Sequence, residues 1–199
     1  MLFLPKKIVV TAFKPFLNAK YNVSEILVQK LFEEGVIPKP LLLPVEFKKS
    51  FEILKSQIIL EKPDAVVMLG QAADRKKISF EKIAHNWQYS KQADESGLIP
   101  TTGPLIEKAD LAIMTSCDLE AVVQNYKADR PVEISFSAGT FVCNDLYYRV
   151  LHEFKEIDAC FIHLPLLPLQ AEGQDQFSLS EQVQLQTLRE FFVRGIDQI

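Results

Sequence analysis

The sequence predicts an α/β fold: a three-layer α/β/α sandwich with a mainly parallel (mixed), twisted sheet. Three observations lead there. Short, β-branched apolar runs alternate with segments whose apolar residues recur every three to four positions. The chain has 199 residues, enough to bury a large core, so one domain spanning 1–199 is expected. No repeat or low-complexity tract interrupts the alternation, and the eleven prolines are scattered.

The elements follow in order. "KKIVVTAF" reads as a buried strand and "KPFLNAKYN" as the loop after it. "NVSEILVQKLFEEG" reads as a helix: Asn22 or Ser24 can cap it, Leu27, Leu31 and Phe32 share a face, and Gly35 stops it. "PLLLPVEF" is a second strand. "FKKSFEILKSQIILEKP" is a second helix, with Phe51, Leu54 and Ile58 on one side. "DAVVMLG" is a third strand, bounded by Pro63 and Gly70. From Gln71 to Ala109 the pattern is irregular, with "KISFEKIAHN" a candidate strand, and an excursion of that length is expected to be functional. "DLEAVVQNYKADR" is a helix, "VEISFS" a strand, "CNDLYYRVLHEFK" a helix and "DACFIHLPL" a strand. "LSEQVQLQTLREFFVRGIDQI" closes the chain as one amphipathic helix, with Val183, Leu185, Leu188, Phe191 and Phe192 largely on one side.

Composition narrows the function. Apolar content of 48%, charge of 24% and a net charge of −4 suit a globular protein and favour neither nucleic acid nor anionic membrane as a partner. The opening "MLFLPKK" has a short apolar stretch before its lysines, the reverse of a signal peptide, which predicts a cytoplasmic protein. Three widely spaced cysteines, Cys117, Cys143 and Cys160, argue against a disulfide framework and show no zinc spacing.

In such a sheet, catalytic groups gather beyond the carboxyl ends of strands. That rule selects the segments after "IVVTAF", "AVVMLG" and "VEISFS", and the region of "FIH". Cys143 stands at the start of a predicted helix, behind the small residues of "SAGT". Unpaired N–H groups and the helix dipole favour a thiolate there, and nearby backbone N–H groups can face a reacting carbonyl oxygen. The plain alternative is a small buried hydrophobe, the usual state of a free cysteine. A cysteine nucleophile needs a base. His163 ends an apolar strand just before a proline and is either a satisfied core histidine or an active-site residue. His152 lies two and a half turns into the Cys143 helix, and His85 sits between apolar and polar residues. A third group must orient the imidazole, and Glu81 in "ISFEKIA" and Asp94 in "KQADESG" are the candidates.

Several segments together resemble the pyroglutamyl peptidase I (pyrrolidone-carboxylate peptidase) family. "VTAFKPFLNAKYNVSE" is similar to its TGFxPFxxxxxNPS pattern, "LLLPVEF" to LPVxF, and "LGQAADRKKISFEKIAHN" to GxAxGRxxIxxExxAxN. "SAGTFVCNDLYY" is similar to SxxAGxYxCNxxxY, and "CFIHLPLLPLQ" to FIHxPxxPxQ. The order and spacing agree from about residue 8 to the end.

The resemblance implies a cysteine peptidase that removes an N-terminal pyroglutamyl residue through a thioester, with no metal or other cofactor. It implies Cys143 as nucleophile, His163 as base and acid, and Glu81 as the residue that orients the imidazole. Phe13 and Phe16 match aromatics that flank the lactam, Gln71 a polar residue beside the pocket, and Phe141 a position that often holds tyrosine. Val142 and Cys143 would offer backbone N–H groups to the oxyanion, and Arg75 would assist it or position loops. The family is commonly oligomeric, which implies a dimer or tetramer, with the 86–108 segment as a candidate interface. The alternatives are an impaired member that binds lactam-blocked N-termini and a related cysteine amidase with another substrate.

The departures cluster on the substrate side. Ala12 stands where the family has glycine, Leu17 and Asn18 replace glycines, and Val23 replaces the proline of Asn-Pro-Ser. Ala73 and Asp74 precede Arg75 where the family pattern places a glycine directly before the arginine. A Cβ at Asp74 is expected to restrict a backbone that a glycine leaves free, and its carboxylate to pair with Arg75.

Overall fold

The computed structural model describes residues 6–17 and 19–199, so the apolar stretch before Lys6 and the substituted Asn18 lie outside it. Six strands form the main sheet: β1 (Ile8–Phe13), β2 (Leu41–Leu43), β3 (Ala65–Gln71), β4 (Ile78–Glu81), β7 (Val132–Ser135) and β8 (Asp158–Leu164). Their spatial order is β2-β1-β3-β8-β4-β7. β5 (Ile83–His85) and β6 (Ala112–Met114) form a separate antiparallel pair. The helices are α1 (Val23–Glu33), α2 (Lys49–Glu61), α3 (Leu119–Gln124), α4 (Val142–Glu153), α5 (Pro168–Ala171) and α6 (Glu181–Glu190).

The sheet is mixed, as expected. β2, β1, β3 and β8 are parallel, whereas β4 runs antiparallel to β8 and carries β7 with it. β4 therefore separates β7 from β8, so the Cys143 helix does not join neighbouring parallel strands. The rule about carboxyl ends serves β1, β3 and β8, but β7 runs the other way. Residues 136–141 bring the chain from β7 back to the start of α4.

Side-chain alternation divides the interior into two cores, one on each face of the sheet. Val10, Ala12, Val67, Leu69, Ile78, Phe80, Cys160 and Ile162 meet Leu27 and Leu31 of α1 and Leu188 of α6. Val9, Phe13, Val66, Met68, Ala159 and Phe161 meet Leu54 and Ile58 of α2 and Leu146 and Val150 of α4. The same parity puts Gly70, Ser79, Glu81 and His163 on the α4 face. A two-residue period thus decides which polar side chains can meet Cys143.

Local chemistry sets the boundaries. Asn22 caps α1, its side-chain oxygen accepting from the Ser24 N–H and hydroxyl at 3.0 and 2.8 Å. Phe32, expected on the buried face of α1, lies at its edge and is 38% exposed. The second strand is shorter than "PLLLPVEF" because Pro44 offers no N–H and the next donors turn to carboxylates. Val45 donates to Glu95 at 3.1 Å, Phe47 to Asp94 at 2.9 Å and Lys48 to Asp145 at 2.8 Å. These bonds hold Lys48 at φ 60°, a left-handed φ that disfavours a side-chain-bearing residue. "KISFEKIAHN" becomes two strands, because the Lys82 N–H bonds to Ser135 O (2.6 Å) and the chain then leaves the main sheet. The final helix is not continuous: α6 passes into a π-helical turn at Phe191–Gly195 and a 3-10 turn at Ile196–Gln198. The wider turn lets consecutive Phe191 and Phe192 both bury, with ring centroids 5.1 Å apart.

Asp94 is the anchor of the excursion. Besides Phe47 it accepts from the backbone of Ser96 and Leu98, each at 2.9 Å, and from the Ser96 hydroxyl at 2.7 Å. Burial works against the charged form, but the Ser96 hydroxyl and the three N–H donors outweigh it and lower the carboxyl pKa below its ordinary value. A depressed carboxylate contributes stability that is present above its unfolded pKa and lost as pH falls through its folded pKa. Asp94→Ala is therefore expected to cost about 1–3 kcal/mol at neutral pH in chemical denaturation. The loss should shrink as pH falls through the carboxylate range, and a cost that does not depend on pH contradicts this role.

Candidate active site

Cys143 occupies the second position of α4, whose N-cap, Phe141, makes no side-chain capping bond. The first backbone bond of the helix runs from Asp145 N to Phe141 O at 3.1 Å. The N–H groups of Val142 and Cys143 consequently find no partner among the described residues, as expected of a helix start. Gly139, at φ 81°, makes the turn that brings the chain there. The approach is pinned by the excursion. The Tyr89 N–H donates to Thr140 O at 3.1 Å, and the Thr140 hydroxyl donates to Tyr89 O at 2.8 Å. The buried Asn144 amide bonds His85 N, His85 O and Trp87 O at 2.9, 2.8 and 3.0 Å.

His163 and Glu81 meet through the antiparallel β4–β8 register, which sets Ser79 opposite His163 and Glu81 opposite Phe161. Glu81 is thus diagonal to His163 on one face, and His163 Nδ1 lies 2.7 Å from Glu81 Oε1. That bond leaves Nε2 for Cys143. Burial disfavours the charged imidazole, but hydrogen bonds and charge interactions with Cys143 and Glu81 outweigh it and raise its pKa to about 9. An imidazolium held this way adds stability that is complete below the unfolded value near 6.5 and is lost as pH rises through about 9.

Glu81 is fully buried, and its Oε2 has no partner among the described residues. Oε1 also accepts from Arg75 at 3.2 Å, and the same guanidinium nitrogen donates to Ser137 O at 2.8 Å. Arg75 thus ties the orienting carboxylate to the loop before Cys143, which is the loop-positioning alternative, and it is not among the residues that line the cleft. Its ionic partner is Glu81, not Asp74. Asp74 is absent from the described residues at positive φ, so its Cβ meets no left-handed constraint.

The sulfur rests against bare backbone. A Cβ built on Gly70 would lie 3.0 Å from Cys143 Sγ and 2.9 Å from the Phe161 ring. Phe161 in turn packs on the His163 imidazole at 4.8 Å between centroids. The other thiols are placed differently. Cys117 bonds Ala159 O and is pushed up to about 11 by burial, and burial raises Cys160 well above the ordinary thiol range. All three cysteines are free. His152 stacks on Tyr148, and Asp94 serves the excursion, which leaves Glu81 as the orienting carboxylate.

Above Cys143 opens a cleft of about 520 Å³. Phe13, Phe16, Gln71 and Phe141 line it as expected, and the Phe141 ring is braced by Phe16 at 5.7 Å and edge-on by Phe47 at 5.2 Å. Val142 is fully buried and can offer only its N–H. Sequence reading missed Tyr21, Asn22, Val45, Ser90 and Gln92 in the wall. Ser90 and Gln92 belong to the excursion whose length was the available signal. Leu17, where the resembled pattern has glycine, adopts φ 45° directly after Phe16 of the wall.

Gly70→Ala tests how tightly the sulfur is seated. The added methyl must displace Sγ or the Phe161 ring, and overpacking of this kind costs about 1–3 kcal/mol. Alkylation of Cys143 by iodoacetamide should slow in the folded variant, and an unchanged rate contradicts the packing described.

Known proteins are similar to this chain in sequence and fold. A family model described as "Pyroglutamyl peptidase" matches residues 6–196. The pyrrolidone-carboxylate peptidase of Bacillus cereus (strain ZK / E33L) is 34% identical over 188 residues, covering 88% of this chain and 86% of that one. The crystal structure of Bacillus amyloliquefaciens pyroglutamyl peptidase I superposes with a TM-score of 0.85 at 29% identity, covering 92% of this chain and 93% of that one. The pyrrolidone carboxyl peptidase of Fervidobacterium islandicum AW-1 gives 0.86 at 29% identity over 96% and 99% of the two chains. With the family model matched over residues 6–196 and a relative 34% identical over most of both chains, this chain belongs to the pyroglutamyl peptidase family.

Proposed function

We propose that this protein hydrolyses the peptide bond after an N-terminal pyroglutamyl residue, with Cys143 as nucleophile, His163 as base and acid, and Glu81 as the residue that orients the imidazole. One observation carries the reading: a helix-start cysteine, a histidine and a buried carboxylate connect in sequence beneath an aromatic cleft. The lactam has no ammonium group, and a cleft walled by Phe13, Phe16 and Phe141 suits a flat neutral ring.

The chemistry proceeds in two halves. With its proton already held on the His163 imidazole, Sγ attacks the carbonyl that follows the ring. The oxyanion is received by the N–H groups of Val142 and Cys143, which the helix start leaves unpaired. Collapse breaks the C–N bond, His163 gives its proton to the departing amine, and a pyroglutamyl thioester remains. Water, deprotonated by the same imidazole, attacks the thioester, frees pyroglutamic acid and restores the starting Cys143–His163 pair with its proton on the imidazole. Arg75 acts through Glu81 and the Ser137 carbonyl, as a positioning residue.

A fluorogenic pyroglutamyl amide tests the reading. The wild-type protein should cleave it, and Cys143→Ala should abolish turnover with the fold retained. Glu81→Gln should lower kcat by at least about a hundredfold. Near wild-type cleavage by Cys143→Ala, or no cleavage by the wild type, overturns it. The reading includes a homo-oligomer, since the 86–108 segment exposes Trp87, Tyr89, Leu98 and Ile99. Light scattering should give a dimer or tetramer, and a monomer at micromolar concentration contradicts that part.

A further inference from the structure

The lactam and the two-step chemistry use only the cleft above Cys143. A second cleft, of about 440 Å³, has no part in them. Ala19, Tyr21, Gln71 and Ala73 line both, so the two clefts run together. The smaller cavities beside Phe154 and Gly195 share no wall residue with the Cys143 cleft. Each of the two joined clefts alone reaches the size that houses a drug-sized ligand, about 300–1,000 Å³, and a five-membered ring fills only part of one.

The second cleft is held in shape by Gln170. Its Oε1 accepts from the Leu167 N–H at 3.0 Å, and its Nε2 donates to Tyr21 O at 3.2 Å. Leu166 and Leu169 give the lining an apolar part, and Gln170, Gln174 and Gln176 a polar one without charge. That mixture suits an extended peptide, which carries amides along its backbone and apolar surface between them. Tyr21, fixed by the bond to Gln170, has its ring centroid 5.1 Å from the Lys20 ammonium. Hydrogen bonding and charge interaction with Tyr21 raise the Lys20 pKa, so the side chain stays charged. It forms no ion pair among the described residues. With Cys143 set aside, Lys20 is the one charged side chain that lines either cleft among the described residues. Glu172 and Asp175 neighbour the glutamines in sequence but stand outside the lining. A lone cation in a cleft without carboxylates attracts an anion.

We propose that the second cleft holds the peptide that follows the lactam, and that Lys20 pairs there with a carboxylate of that peptide. The inference rests on the proposed pyroglutamyl reading and adds what the protein prefers beyond the ring. The carboxylate is the free end of a short peptide or an acidic side chain. An exposed pair of this kind is worth at most about fivefold in affinity and fades as salt rises.

Calorimetry on Cys143→Ala reads affinity without turnover. The probes are pyroglutamyl-alanyl-alanine as free acid, the same peptide as C-terminal amide, and pyroglutamyl-alanyl-glutamate with its C-terminus amidated. At low salt the free acid should bind about three- to fivefold more tightly than its amide, and the advantage should shrink at high salt. A preference confined to the free acid assigns the anion to the peptide's end, and one shared by the glutamyl peptide assigns it to side chains as well. Adding Lys20→Gln should bring the ratio of acid to amide to about one, and adding Lys20→Glu should invert it, which a mere loss of packing would not do. Adding Leu169→Trp narrows the second cleft and should weaken the free acid several-fold relative to 2-pyrrolidinone, the bare lactam. Equal binding of acid and amide without these changes overturns the proposal, as does a preference that survives Lys20→Glu. Free-acid binding that is indifferent to Leu169→Trp overturns the placement in the second cleft. If the wild type leaves the pyroglutamyl reporter uncleaved, the function reading fails, and the calorimetry still decides this inference.

Discussion

The hydrogen bond between Glu81 and His163 is the constraint around which the site is arranged. A fully buried carboxylate is tolerable only when charge or donors face it. Here one oxygen receives both the imidazole and a guanidinium nitrogen. The register of a single antiparallel strand makes this possible. Had β4 been parallel to β8, or slipped by one residue, Glu81 would face a different neighbour or the opposite core. Arg75 extends the constraint to the Ser137 carbonyl and hence to the loop that delivers Cys143. One pair therefore links the sheet to the nucleophile's loop.

The cleft is held by different means. Its walls come from turns and from the long excursion, and backbone donors there are satisfied by carboxylates and amides instead of a strand ladder. Asp94 and Asp145 fix the turn that presents Phe47, and Phe47 braces Phe141. Leu17 at φ 45° follows Phe16 of the wall, and Lys48 at φ 60° follows Phe47. A left-handed conformation costs a residue with a side chain about 1–2 kcal/mol, so neighbouring contacts must fix it in place. The chemical centre is thus set by sheet register, and the recognition surface by loops in which this chain departs from the resembled pattern.

That division explains what could be read from the sequence. β1, β3, β8, α1, α2 and α4 announced themselves by periodicity, because each buries a regular apolar face. Cys143 was legible from the helix start and the small residues before it, and His163 as a polar residue ending an apolar strand. Strand direction was not legible: β4 and β7 have no periodicity that distinguishes parallel from antiparallel, so the partnership of Glu81 with His163 needed the register. β6 escaped notice, and β5 was merged with β4 in one candidate strand, because three-residue strands carry too little pattern. For Arg75 the sequence left two roles open, assisting the oxyanion or positioning loops, because its partner lies in another strand. In three dimensions Glu81 claims it. The break in the last helix was hidden for a similar reason, since Phe191 and Phe192 fit an amphipathic pattern until both must bury.

The protonation state of His163 is the most direct measure of the central pair. Nitrogen-15 NMR of the labelled imidazole across a pH titration would read it, with Glu81→Gln as comparison. The account predicts a ring protonated on both nitrogens well above the ordinary histidine range, titrating near pH 9, and a lower value once the carboxylate is removed. A ring that titrates near 6.5 in the wild type and is indifferent to residue 81 would contradict it.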